Sequence, residues 1–215
     1  VAVPYGEDSE PPFLAGKGQR WINHEGDVTY RPWGAYDYLG EGEVAYQRFG
    51  YTIADQHGAT STAVITVKVV GVNDAPEAKN DKAETNEKAA VVIDVLANDS
   101  DKDVNDTLSV HSIDTTGLKG TVTLNPDGTL TYDPNGQFNH LGVGQTAKET
   151  FTYTVTDQHG ATDTATVEVV IHGVNDAPVA APDIFQGYTN VGFYAPIAAL
   201  LGNDFDVDGD PLTFL

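Results

Sequence analysis

The sequence predicts an all-β chain made of antiparallel β-sandwiches in tandem. Three observations predict it. Apolar residues alternate with polar ones over runs of strand length, turn-forming residues recur at intervals of about 8–12 residues, and no window carries a helical period. A long stretch also occurs twice: "YTIADQHGATSTAVITVKVVGVNDAP" over 51–76 and "TYTVTDQHGATDTATVEVVIHGVNDAP" over 152–178.

The repeat sets the domain plan. Residues 16–76 align with 118–178 without a gap, and 30 of the 61 positions are identical. A third start follows Pro178, where "LLGNDFDVD" at 200–208 echoes "VLANDSDKD" at 95–103. The expected units are a first domain over 1–74 whose N-terminal part is missing or divergent, a complete domain over 75–176, and the N-terminal strands of a third over 177–215. A period near 100 residues is too long for a solenoid turn and suits a string of small domains, each able to bury a modest core. The pattern starts part-way through a unit at Val1 and stops part-way at Leu215, as expected for a piece of something longer.

The strands follow in order. Ile65, Val67 and Val69, with their mates Val167, Val169 and Ile171, fall on one face; Thr66 and Lys68, with Glu168 and Val170, fall on the other. Phe151, Tyr153 and Val155 alternate in the same way. "VTLNPDGTLTY" at 122–132 reads as two short strands around a Pro-Asp-Gly turn.

Composition excludes several classes. With 32 acidic against 11 basic residues and a net charge of −21, the chain repels phosphates, so nucleic acid and anionic membrane surfaces are unsuited partners. No apolar run approaches a membrane span. The absence of cysteine excludes disulfides and thiolate metal sites and is compatible with an oxidising exterior. Six histidines are present, but His57 and His159 sit in the repeated "DQHG" loop, which is not how one active site is made. No nucleophile, zinc-protease or phosphate-loop motif occurs. The chain reads as a non-enzyme.

The acid is concentrated. "VNDAP" closes both repeated stretches, placing Asn73 and Asp74, then Asn175 and Asp176, in a short segment that proline keeps from continuing as a strand. Asn98, Asp99, Asp101, Asp103 and Asp106 form a second cluster, mirrored by Asn203, Asp204, Asp206, Asp208 and Asp210. Carboxylates at alternate positions repel unless a cation lies among them, and Ca²⁺ takes 6–8 oxygen ligands of this kind. The plainer readings are a turn for "VNDAP" and a solvated acidic loop for the aspartates. "DFDVDG" at 204–209 opens like an EF-hand loop, but its twelfth position is Leu215 where a glutamate is required, and the flanks are strand-like.

"FTYTVTDQHGATDTATVEVVIHGVNDAP" and "DVLANDSDKD" resemble the bacterial cadherin-like repeats, including the VCBS type, that form extender domains of large RTX-type surface adhesins. The joint also resembles the cadherin linker D-x-N-D-N-x-P, with alanine for the second asparagine. The resemblance implies Ig-like/cadherin-like sandwiches joined end to end, outside the cell or on its surface. It implies Ca²⁺ held by Asn73, Asp74, Asp99, Asp101, Asp103 and Asp157 at one joint, and by Asn175, Asp176, Asp204, Asp206 and Asp208 at the next. For the acidic pair that cadherins carry at the base of the preceding domain, Asp37 or Glu41 are the available residues. The function implied is a calcium-rigidified structural segment of a bacterial adhesin or surface fibre in cell adhesion and biofilm.

A carbohydrate-binding module is the alternative. Trp21, Trp33, Tyr36, Tyr38 and Tyr46 crowd the first unit only and could form a platform for surface glycans. Against this, Trp21 and Trp33 are expected to plug the core of a divergent sandwich. The partners expected are therefore neighbouring repeats of the same protein. Head-to-tail strand complementation, in which 177–215 of one molecule completes the first unit of another, is a further expectation. Residues 1–14, with the strand-like "VAVPY", could instead supply that strand locally.

Overall fold

The computed structural model describes residues 18–22 and 27–215. The strand expected over "VAVPY", the Trp21 side chain and His24 lie outside the described residues. The chain forms two compact units. One comprises the stretch up to Glu77 with Ser100–Ser109 and Thr156–Asp163; the other comprises Ala78–Asp99, Val110–Val155 and Thr164–Leu215.

The first unit holds two antiparallel ribbons. β1 (Gln19–Ile22) pairs with β2 (Val28–Arg31), Gln19 opposite Arg31. β3 (Val44–Ala54) pairs along its whole length with β4 (Thr60–Val70), from Val44 opposite Val70 to Ala54 opposite Thr60. The alternation read from the sequence puts Phe49, Ile65, Val67 and Val69 on one face. Phe49 is buried there, with the Tyr30 ring 6.1 Å away and the Arg20 guanidinium 5.1 Å from its centre. Further along the same face Tyr51 and Ile53 are open to solvent, 46% and 60% exposed.

The second unit is a sandwich of seven strands. β5 (Asp81–Asn86), β11 (Thr162–His172), β10 (Thr146–Thr156) and β7 (Ser109–Asp114) form one sheet in that order. β6 (Val91–Ile93), β9 (Leu130–Asp133) and β8 (Thr121–Leu124) form the other. β5 runs parallel to β11, with Val167 opposite Asp81. β8 and β9 are the hairpin expected around Pro126-Asp127-Gly128. Phe151, Tyr153 and Val155 of β10 and Val167, Val169 and Ile171 of β11 are buried, facing Ile93, Val95, Leu130 and Tyr132. Each fully buried aliphatic chain contributes roughly 1.5–3 kcal/mol. Two polar ties cross the core. The Tyr132 hydroxyl donates to Glu149 at 2.7 Å, whose carboxylate also accepts the main-chain N–H of Lys119 and Gly120. The Tyr153 hydroxyl lies 2.9 Å from the Val95 carbonyl and 3.0 Å from Asp99.

Residues 177–215 repeat the opening of the preceding unit in detail. Val179 bridges Phe205 as Glu77 bridges Ser100. Ala181 N–H donates to Asp204 at 2.8 Å, as Lys79 N–H does to Asp99. The strands expected over 177–215 go no further than that bridge among the described residues. One helical turn, α1 (Ile197–Leu200), was not legible, since four residues are too few to leave a period.

One expectation fails. Trp33 does not plug a core: it is 49% exposed, on the turn after β2.

Candidate metal centres

Each "VNDAP" is delivered by a close backbone approach. Gly71 donates its N–H to the Glu43 carbonyl at 2.8 Å, and Gly173 does the same to Gln145 at 2.9 Å. A side chain at Gly71 would collide with the carbonyls of Leu39 and Gly40, and one at Gly173 with those of Leu141 and Gly142. The repeated glycine is therefore required by packing.

At the first joint, Asn73 donates its side-chain amide to Asp157 at 2.8 Å. Asp74 donates its main-chain N–H to Asp103 at 2.8 Å, and Asp103 donates its own N–H to Asp101 at 2.9 Å. The other oxygen of Asp157 accepts the N–H groups of His159 and Ala161, which fixes the "DQHG" loop. Burial tends to raise the Asp157 pKa, but the bonds from Asn73 and the loop N–H groups outweigh it and hold the carboxyl below its usual range. Asp101, Asp106 and Asp157 bring carboxylate oxygens within 4.8 Å of one another. Burial pushes Asp106 up, and the neighbouring acids add to it, while His159 opposes it.

The second joint repeats this wiring. Asp176 N–H donates to Asp208 at 2.7 Å, and Asp208 N–H to Asp206 at 2.9 Å. Here Glu87 joins Asp176 and Asp208, and Asp206, Asp208 and Asp210 form an overlapping group, each within 4.8 Å. Glu87 is 1% exposed and its pKa is raised, foremost by burial. Asn175 differs from Asn73: its amide turns back to the Asp176 carbonyl at 2.7 Å.

The donors are carboxylate and amide oxygens, a set that suits a hard cation such as Ca²⁺. Their orphaned atoms test the fit. Asn73 Oδ1, Asp101 Oδ2, Asp103 Oδ1 and Asp106 Oδ2 at the first joint are buried without a hydrogen-bond donor. So are both Glu87 oxygens, Asp176 Oδ2 and Asp208 Oδ1 at the second. Buried acceptors are normally satisfied, so these eight oxygens, of which Glu87 Oε1 has the Lys88 ammonium 3.9 Å away, are what a cation would satisfy. The residues fit calcium. Two lysines meanwhile rest on the linker acids: Lys102 lies 3.2 Å from Asp74 and Lys88 lies 2.5 Å from Asp176.

The structure does not bring all of the residues implied by the resemblance together. Asp99 and Asp204 are not gathered with the clusters: they accept the N–H groups of Lys79 and Ala181, and Asp99 also meets Tyr153. The pairs at the joints are Asp101 with Asp103 and Asp206 with Asp208, one step further along. Glu41 lies 3.3 Å from the His159 imidazole, whose other nitrogen is 3.7 Å from Asp106, and Asp37 packs beside Gly34; neither is among the acids gathered within 4.8 Å. Glu87 was missed. The internal repeat did not flag it, because the matching stretch after Pro178, "TNVG" at 189–192, carries no glutamate.

The sequence profile of the bacterial cadherin-like domain matches residues 73–173. Among solved structures the chain is similar to protocadherin gamma B2 extracellular cadherin domains 1–5, at 14% identity and TM-score 0.42, covering 78% of this chain and 33% of that one. It is similar to mouse clustered protocadherin gamma C3 domains EC1–3 at 14% identity and TM-score 0.38, covering 73% and 52%. The chain thus spans a third to a half of the length of these structures. No curated protein matches the sequence. Domains of this family are extracellular structural and adhesion modules and typically bind calcium. Residues 73–173 are thus similar to the bacterial cadherin-like domain.

Proposed function

We propose that this chain is a calcium-rigidified structural segment of an extracellular bacterial adhesin or surface fibre, working in cell adhesion and biofilm. Its sandwiches, 1–74, 75–176 and the opening of a third over 177–215, are joined end to end. The observation that carries this is the duplicated joint: the same N–H to carboxylate wiring at Asp74–Asp103 and Asp176–Asp208, with four buried, donorless oxygens at each.

The protein's own residues do most of the work. Gly71 and Gly173 bring the linkers in, Asn73 ties one to Asp157, and Asp103 and Asp208 clamp the main chain of the linker aspartates. Asn73, Asp101, Asp103, Asp106 and Asp157 would hold an ion at one joint; Glu87, Asp176, Asp206 and Asp208 would hold one at the next. Bound calcium supplies the positive charge that lets these carboxylates stay crowded and ionised. A linker so held loses the freedom that separate domains otherwise have.

Solution scattering tests the mechanical claim. The particle's maximum dimension should be longer with Ca²⁺ than with chelator, and an equal dimension in both would show that the linker is stiff by itself.

The β3–β4 face supports a partner reading. Tyr51 and Ile53 are open, while their counterparts Tyr153 and Val155 are wholly buried. In the second unit the Tyr153 hydroxyl meets Lys79, Val95 and Asp99, so the open face fits the same segment of a neighbouring repeat, or residues 179–204 of a second molecule.

A further inference from the structure

The turn at 31–34 departs from its own repeat at two positions. Its counterpart at 133–136 is Asp-Pro-Asn-Gly, a relaxed turn: Asn135 has φ 51°, which asparagine tolerates, and its N–H is bonded to Asp133 at 2.8 Å. In the first unit the residues are Arg-Pro-Trp-Gly, with the same backbone and Trp33 at φ 47°. A bulky residue in the left-handed region is an outlier. Trp33 stays 49% exposed, and the Arg31 guanidinium lies 5.8 Å from its ring centre. Strain retained at a half-exposed aromatic, whose ring meets the Arg31 guanidinium and no core, is a mark of function.

We propose that this turn is a binding site for a neutral sugar ring. The face of an indole carries negative potential and accepts the polarised C–H face of a pyranose. The same turn carries groups suited to sugar hydroxyls: the Arg31 guanidinium, 5.8 Å from the ring centre, as donor, and the exposed Asp37 carboxylate, beside Gly34, as acceptor. Tyr38, on the same turn and also half-exposed, offers a second ring beside Tyr36 at 6.2 Å. The occupant is a sugar rather than a protein because a stable protein interface buries about 800 Å² per side over an apolar centre, and a few rings between charged groups do not provide that. It is a neutral sugar because the chain's charge of −21 repels acidic ones.

The repeat supplies the variant that tests this, Trp33→Asn. The 215-residue chain, with Ca²⁺ present, is applied to an array of neutral and acidic oligosaccharides, and the best-retained compound is titrated calorimetrically into wild type and variant. Retention of neutral glycans is expected, with affinity falling at least about tenfold in Trp33→Asn. The variant's melting temperature should be equal to wild type or higher, since asparagine suits the backbone. No retention of neutral glycans, retention of acidic ones only, or equal affinity in the variant overturns the proposal. A clear fall in the variant's melting temperature also overturns it, because Trp33 would then be a packing residue.

Discussion

Asp103 accepts the main-chain N–H of Asp74 at 2.8 Å with one carboxylate oxygen and keeps the other buried without a donor. The joint is thus half-built by the chain alone. One oxygen fixes the linker backbone, and the other is the one proposed to meet a cation. Replacing Asp103 by Asn keeps an oxygen for the N–H cap and removes the charge. Thermal melts of Asp103→Asn should match wild type in chelator and lose the rise that Ca²⁺ gives. Asp103→Ala removes the cap as well and should cost about 1–3 kcal/mol even in chelator.

Lys102 sits 3.2 Å from Asp74 and competes for the charge a cation would take. The Asp74 bond leads the causes that raise its pKa, so the lysine stays protonated wherever calcium is tested. Lys102→Met should bind Ca²⁺ about two- to fivefold more tightly, the modest effect expected of an exposed pair. Unchanged affinity would show that the lysine moves aside at no cost.

Tyr153 and Tyr51 occupy the same place in two repeats but not the same environment. The Tyr153 hydroxyl is enclosed by the carbonyls of Val95 and Lys79 and by Asp99, and burial, foremost, pushes its pKa up. Tyr153→Phe should destabilise by about 1–3 kcal/mol in urea unfolding. Tyr51→Phe, on the open face, should change stability by less than about 0.5 kcal/mol. Equal losses would show that the first unit's face is covered in solution.

Asp81 opens β5 with one oxygen buried and donorless. Burial, with Asp99 and Asp94 adding to it and Tyr153 and Asn98 opposing, pushes its pKa up to about 6 from 3.8. The folded state therefore holds the proton more tightly than the unfolded one. The resulting stabilisation is complete below about pH 3.8 and is lost as pH rises through about 6. In chelator, wild type should lose stability over that window relative to Asp81→Asn. Glu87 and Asp106 are raised too, but they remain in both proteins, so the difference isolates Asp81. Parallel profiles would contradict the shift.

Much of this was legible because the chain states it twice. The alternation in β10 and β11 gave the buried face directly, since period two is a property of the backbone. "VNDAP" and the alternating aspartates pointed to the two acid clusters. Which aspartate turns inward was not. Asp99 and Asp101 look alike in sequence, and only the Lys79 N–H and the Tyr153 hydroxyl, both distant in the chain, draw Asp99 away. Glu87 was invisible for a similar reason: a lone glutamate after a strand says nothing until folding buries it beside Asp176 and Asp208. Trp33 was misjudged because composition prices tryptophan as core, and the left-handed turn that exposes it is shown only by its alignment with Asn135.

The central claim is that the orphaned oxygens at the two joints are cation ligands. Titration calorimetry with Ca²⁺, after exhaustive chelator treatment, measures it directly, with differential scanning calorimetry on the same samples. The account predicts binding tighter than about millimolar. The first joint, with Asn73 and Asp157 in place, should be the stronger of two sites. The melting temperature should rise with Ca²⁺ concentration as linkage requires. No heat of binding up to about millimolar Ca²⁺ and an unmoved melting temperature would contradict it.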